Sequence, residues 1–253
     1  MSIGDAEIKT QERVIRFFKD PEILGYQYIG NLSDYQNKNI KEDRLRQYLR
    51  LKGYADKLID AAVMQLQQEA GNLSRGVYDA NKTVYSRLKY GIPVSESPEK
   101  SPVTVQLIDE ENPLNNDFAI AEEVTVVEQS EKRPDLVVYL NGVAVAVIEL
   151  KRSSISVSEG IRQNLTNQKN SFIQGFFSTM QFCMAGNESE GLRYGTLLTG
   201  EKFYMEWKDD GFKEHEEERD PVDVRISKTC EGIENKLLKQ IYAMFDKERF
   251  IDL

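Results

Sequence analysis

The stretch from Pro134 to Lys151, PDLVVYLNGVAVAVIELK, constrains the fold of this chain more than any other. Two apolar runs flank Asn141-Gly142, and both of those residues tolerate positive φ, so the segment predicts a β-hairpin. The second arm, Val143 to Ile148, is apolar without alternation, which suits a central strand covered on both faces. That arm runs into Glu149-Leu150-Lys151. A carboxylate and an ammonium at the end of a buried strand are costly to desolvate unless other groups compensate them. Asp135, at the far end of the partner arm, is a candidate for that compensation.

Strand parity decides whether the two acids can meet. A strict two-residue loop pairs Leu140 with Val143 and Asp135 with Ile148, sending Asp135 and Glu149 to opposite faces of the sheet. A three-residue loop, Leu140-Asn141-Gly142, pairs Tyr139 with Val143 and Asp135 with Val147. Glu149 then becomes the same-face diagonal neighbour of Asp135, roughly 7–8 Å away. The expectation is this three-residue turn or an equivalent bulge, with Lys151 on the same face. Two carboxylates and a lysine at one spot suit metal-assisted hydrolysis of a phosphodiester, with Mg²⁺ as the ion and Mn²⁺ as its alternative. Lys151 would orient a water or offset developing charge. The same residues also describe a solvated strand-end ion pair that contributes little.

This segment resembles the PD-(D/E)xK nuclease motif as it occurs in the N-terminal domain of the restriction (R) subunit of type I restriction-modification systems. Val105-Gln106-Leu107-Ile108-Asp109, Asn112-Pro113-Leu114-Asn115-Asn116-Asp117-Phe118 and Glu248-Arg249-Phe250-Ile251-Asp252-Leu253 carry the similarity over nearly the whole chain. The resemblance implies a restriction-endonuclease-like α/β fold, a mixed central β-sheet flanked by helices, with an added helical pair. It implies Asp135 and Glu149 as metal ligands, the Leu150 backbone carbonyl as a further ligand and Lys151 as the catalytic lysine. Gln163 matches the first residue of the family's Gln-x-x-x-Tyr motif and is carried over to catalysis and DNA contact. Asn167 stands where the tyrosine is expected and takes its place as a candidate DNA contact. The implied activity is cleavage of double-stranded DNA, away from the recognition sequence, after ATP-driven translocation. The implied partners are the motor domains of the same full-length subunit, which alone bind ATP and are absent from this sequence, and the methyltransferase and specificity subunits.

Charge sits awkwardly with that activity, because the formal net charge is −9 and phosphate contacts rely on Lys and Arg. Either DNA is delivered by other parts of an assembly or the basic surface is local. Arg44, Arg46, Arg50 and Lys52 form the densest early basic cluster and are candidate DNA contacts, although such a run is more often a solvated helix face. Glu12, on an expected first helix Ala6–Lys19, and Glu128 are reserve acids. The run Glu214, Glu216, Glu217, Glu218 is expected to be an exposed loop that repels DNA. His215 is the only histidine, which disfavours histidine-base nucleases and multi-imidazole zinc sites. Cys183 and Cys230 are expected to be buried thiols. No signal-peptide core and no membrane-spanning run of about 20 apolar residues is present, so a cytoplasmic protein without membrane contact is expected.

The chain reads as a single endonuclease domain over 1–253, with a helical insertion at about 38–92, a nuclease core at about 102–206 and a C-terminal helix at about 230–246. Expected strands are Tyr26–Ile29, Pro102–Asp109, Phe118–Val127, the hairpin, Met180–Ala185 and Gly195–Thr199. A helix over Ser156–Lys169 should cross behind the second hairpin arm and turn Gln163 toward the acids. Gly195 to Lys202 lacks the Gly-Lys-Ser/Thr ending of a phosphate loop, so no nucleotide site is expected. Two other readings remain: a non-cleaving DNA- or subunit-docking module of the same fold, and a nuclease of another DNA-processing system.

Overall fold

Val143–Leu150 is buried at every position, and the molecule is layered outward from this strand. The computed structural model describes residues 3–97, 99–208, 210–211 and 220–253, with backbone alone for 3–6. In chain order the elements are α1 (Ile3–Lys19), β1 (Gln27–Asn31), α2 (Glu42–Leu51), α3 (Asp56–Gly71), α4 (Val77–Tyr90), β2 (Ile92–Val94) and β3 (Val103–Val105). There follow β4 (Phe118–Glu122), β5 (Val126–Val127), β6 (Glu131–Lys132), β7 (Leu136–Leu140), β8 (Val143–Leu150), α5 (Val157–Asn167), β9 (Phe182–Asn187), β10 (Gly191–Gly195) and β11 (Met205–Glu206). The last three are α6 (Pro221–Glu231), α7 (Lys236–Phe245) and α8 (Lys247–Asp252).

Seven strands form one sheet in the order β1-β4-β7-β8-β9-β10-β11. The β1–β4 and β8–β9 pairs are parallel and the other four antiparallel, so the sheet is mixed and the fold α/β, as expected. One face carries Val138, Val145, Ile148 and Leu150 against Phe18 of α1, Leu49 of α2, Leu66 of α3 and Phe245 of α7. The other carries Val137, Tyr139 and Val147 against Phe176 and Phe177 of the 3₁₀ segment Gln174–Thr179, and Ala185 against Val157 and Ile161 of α5. Apolar burial on both faces explains why β8 has no polar alternation.

The hairpin takes the second of the two expected forms, a bulge in place of the three-residue turn. Asn141 and Gly142 take φ of 50° and 83°, and Leu140 pairs directly with Val143, which makes a two-residue loop whose twist suits the flanking strands. Parity is changed further down. Tyr139 pairs with Ala144 and Val138 with Ala146, so Val145 is a bulge residue without a β7 partner. Its carbonyl accepts the Gln181 N–H instead, at 2.8 Å. Leu136 then faces Ile148, and one further step in that register sets Asp135 opposite Glu149 rather than Val147.

The hairpin tip is clamped by a buried polar network. The Asn141 side chain accepts the Asp117 N–H at 2.7 Å and donates to the Leu107 carbonyl at 2.8 Å and to Asn116 Oδ1 at 2.7 Å. Asp109 gathers the Asn/Pro-rich loop from within, accepting from the Asn112 N–H, Asn115 Nδ2 and Lys52 Nζ. Lys52 and Asn115 hold its carboxyl down at about 2.

Other expected strands are shorter or placed differently. Val103–Val105 pairs with Ile92–Val94 in a separate ribbon. The Phe118–Val127 run breaks at Glu123, where φ is 51°, and Val126–Val127 turns to pair with Glu131–Lys132. The strand placed at Gly195–Thr199 lies at Gly191–Gly195, because Gly191, at φ 80°, ends the turn from β9. Both cysteines are buried free thiols. Among the described residues no helix is long and apolar enough to cross a membrane.

Candidate active site

Asp135 directly precedes β7, and Glu149 is the penultimate residue of β8. Asp135 Oδ2 accepts the Leu150 N–H at 2.7 Å, tying the carboxylate to the strand that carries its partner. Glu149 is fully buried; its Oε2 accepts from Gln163 Nε2 at 2.7 Å, its Oε1 receives no N–H or hydroxyl donor, and its carboxyl lies within hydrogen-bonding reach of the Asp135 carboxyl, which one shared proton would bridge. Lys151 leaves the end of the strand, donating its N–H to the Gly186 carbonyl at 2.9 Å. Its Nζ donates to Glu7 Oε1 at 2.9 Å and to the Leu150 carbonyl at 3.0 Å.

Electrostatics follow from that enclosure. Burial pushes the Glu149 carboxyl well above the usual range, and the facing Asp135 adds to it. Burial likewise raises Asp135, to about 6, against the opposing pull of the Lys151 ammonium and the Leu150 amide. For Lys151 burial acts downward, yet Asp135, Glu7 and Glu149 outweigh it and hold the ammonium above its ordinary value. Two buried carboxyls that resist ionising together, one with an oxygen that receives no N–H or hydroxyl donor, are relieved by a cation between them. The oxygen-only donor set, Asp135, Glu149 and the Leu150 carbonyl, fits a hard ion of the Mg²⁺ type. Among the described residues no group of three or more His, Cys, Asp or Glu is arranged to hold a metal; the donors here are two side chains and one main-chain oxygen.

Gln163 reaches Glu149 because α5 lies directly on β8 and β9. Ser156 caps the helix, accepting the Ser158 N–H, and Asn164 Nδ2 donates to the Met184 carbonyl at 2.6 Å. Gly160 permits the close approach: a Cβ there would come within 2.9 Å of Ala185 Cβ and 3.5 Å of Glu149 Cβ. Gly160→Ala is therefore expected to push α5 off the sheet and cost about 1–3 kcal/mol, despite the better helix propensity of alanine. Urea denaturation measures this, and a variant as stable as the parent would show that the contact relaxes freely. Asn167 is almost wholly buried. With Gln163 and Lys151 it edges an open groove of about 420 Å³.

The early basic cluster lies elsewhere. Arg44 pairs with Asp117, Arg46 with Glu42 and Asp60, Arg50 with Asp56 and Lys52 with Asp109. These residues sit on or just after α2, whose N-terminal end packs on the hairpin tip through the Lys41 N–H to the Gly142 carbonyl. The length of β8, roughly 20–25 Å, separates that tip from Glu149. Glu12 is exposed, and Glu128 accepts the Gly175 N–H at 2.8 Å without joining the site. Glu214, Glu216, Glu217, Glu218 and His215 lie outside the described residues.

Sequence reasoning missed the second ring of acids. Glu7 reaches Lys151, while Gln11, one helical turn later, donates to Glu122 Oε2 and Glu123 Oε1, both at 3.0 Å. Glu123 also pairs with Arg133 at 2.8 Å. The i, i+4 spacing of Glu7 and Gln11 is the available signal for a shared helix face.

The family model described as type I restriction enzyme R protein N terminus matches residues 7–203. The chain is also similar to a putative type I restriction enzyme endonuclease subunit, MjaIXP, from Methanocaldococcus jannaschii. Identity is 29% over 137 residues, which cover 50% of this chain and 13% of that relative's length.

Proposed function

Since the chain belongs to the type I restriction enzyme R protein N-terminal family, we propose that it is a Mg²⁺-dependent nuclease domain cutting double-stranded DNA at Asp135, Glu149 and Lys151. The observation that carries this reading is the bulged register that brings Asp135 against the buried Glu149, whose Oε1 receives no N–H or hydroxyl donor. Asp135, Glu149 and the Leu150 carbonyl would hold the ion. When bound, the ion supplies charge neutralisation at the scissile phosphate and acidifies an attacking water.

The protein's own groups set the stage. Gln163 binds Oε2 of Glu149, fixing the carboxylate so that Oε1 is the oxygen on offer. Glu7 and the Leu150 carbonyl tether the Lys151 ammonium beside the carboxylates, where its charge offsets the negative charge growing on the phosphate. In the full-length R subunit this domain would act in the cytoplasm on DNA fed to it by ATP-driven motor domains, with methyltransferase and specificity subunits choosing the target.

The test is plasmid cleavage by the full-length subunit assembled with those partners, ATP and Mg²⁺. Asp135→Ala and Lys151→Ala are each expected to lose cleavage while ATP hydrolysis continues. Undiminished cleavage by both would move the chemistry elsewhere. It would also select the second reading, a docking module of the same fold, which is favoured by Asn167 occupying, buried, the place of the motif tyrosine.

A further inference from the structure

The groove beside Lys151 reverses the sign of the rest of the chain. Lys132 and Arg133, at the approach to β7, form one wall, Arg162 on α5 forms the other, and Lys151 is shared with the acid site. Glu159 is the single acid among the described residues that line it. Four cations line the groove against one anion, and the other acids that pair with them, Glu7, Glu123 and Glu201, lie outside the lining, so the groove presents positive charge to a phosphate that displaces those pairs.

The present partners of these cations are of a kind easily exchanged. Arg133 is more than half exposed and pairs with Glu123; Arg162 is equally exposed and bridges Glu159 and Glu201. Lys132 Nζ lies 4.6 Å from the centre of the Phe172 ring and has no carboxylate partner among the described ion pairs. Exposed pairs of this sort hold little energy, so a phosphate replaces them at small cost. The hydroxyl of Thr166 lines the same groove and adds a neutral donor.

We propose that this groove seats the backbone of the DNA strand to be cut, with Lys132 and Arg133 holding phosphates on one side of the scissile bond and Arg162 on the other. The proposal rests on the nuclease reading and extends it to the substrate-binding surface. It also resolves the charge conflict: a short basic seat for a few phosphates suffices when other parts of an assembly hold the duplex.

Equilibrium binding of a short fluorescein-labelled duplex to the full 253-residue chain, in Ca²⁺ over a salt series, tests it. With about three phosphate contacts, log K should fall with log salt at a slope near −3. Lys132→Ala, Arg133→Ala and Arg162→Ala should each lower the slope by about one and weaken binding several-fold, whereas Arg46→Ala and Arg50→Ala leave both unchanged. Glu159→Gln should tighten binding, a gain that a misfolded variant cannot imitate. Wild type without salt-dependent binding, or groove variants that bind like wild type, would overturn the proposal, as would losses confined to Arg46 and Arg50. Groove-dependent binding alongside normal cleavage by Asp135→Ala and Lys151→Ala would sink the nuclease reading alone. Groove-independent binding with Asp135-dependent cleavage would sink the groove alone.

Discussion

Glu149→Gln is expected to abolish DNA cleavage, by about 10³-fold or more, and at the same time to stabilise the metal-free protein. The two effects share one cause. Glu149 is fully buried, faces a second carboxyl and takes no N–H or hydroxyl donor at Oε1, so its charged form is tolerated poorly without the cation proposed to bind there. A neutral amide of the same shape removes that strain together with the ligand. In EDTA near pH 7 the gain should be about 1–3 kcal/mol by urea denaturation.

The pH dependence has a definite sign. Both acids have folded-state pKa values raised above the unfolded carboxyl range, so the native state binds their protons more tightly. Their contribution to stability is complete below about pH 4, the unfolded carboxyl range, and is lost as pH rises through the raised folded-state range in which the coupled pair gives up its protons. Glu149→Gln should flatten that decline. A variant less stable than wild type in EDTA at neutral pH would mean that the ionised carboxylate is already compensated in the metal-free protein.

The largest purely structural loss is expected at the opposite end of the same strand. Gly142 sits at φ 83°, and a Cβ there would lie 2.7 Å from both the Leu45 nitrogen and the Lys41 carbonyl oxygen, which are backbone atoms of the α2 start. Neither can yield without unpicking the helix. Gly142→Val adds an unfavourable left-handed conformation to that collision and should cost about 3–5 kcal/mol. The readout is the urea midpoint, with hydrogen exchange at the Lys41 and Ala144 amides reporting whether the tip has opened. A loss under about 1 kcal/mol would show that the tip does not pack on α2 in solution.

What the sequence discloses about this fold is mostly local. Asn-Gly between apolar arms marks the hairpin, and the unbroken apolar run marks a strand buried on two faces; both signals lie within a few residues of what they specify. Parity between the two acids calls for a turn or bulge that adds one residue, but the place of the bulge is invisible at that range, because Val-Ala-Val-Ala-Val reads the same whichever residue is left unpaired. Glu7 was out of reach for a different reason. It meets Lys151 across 144 residues, and its place follows from how α1 packs. The arginines of α2 looked available for phosphate because their acids, Asp56, Asp60 and Asp117, come from a separate helix and a distant loop. Lys132 and Arg133 stand in plain view before Pro134, yet only the turn of β5 and β6 toward α5 makes them the wall of a groove.

The unpaired Val145 has one more consequence. Facing of Asp135 and Glu149 is stored as a count of residues, odd or even, along the arm between the turn and the carboxylate. Val145 can change to another apolar residue with the count intact. Loss of Val145 would only turn the bulge into a regular two-residue hairpin with Asp135 still opposite Glu149, whereas one residue gained between Val143 and Ile148, or one lost from Leu136–Leu140, would leave a sound-looking motif with its glutamate on the wrong side of the sheet. For a chain of this kind, spelling is forgiving and length is not.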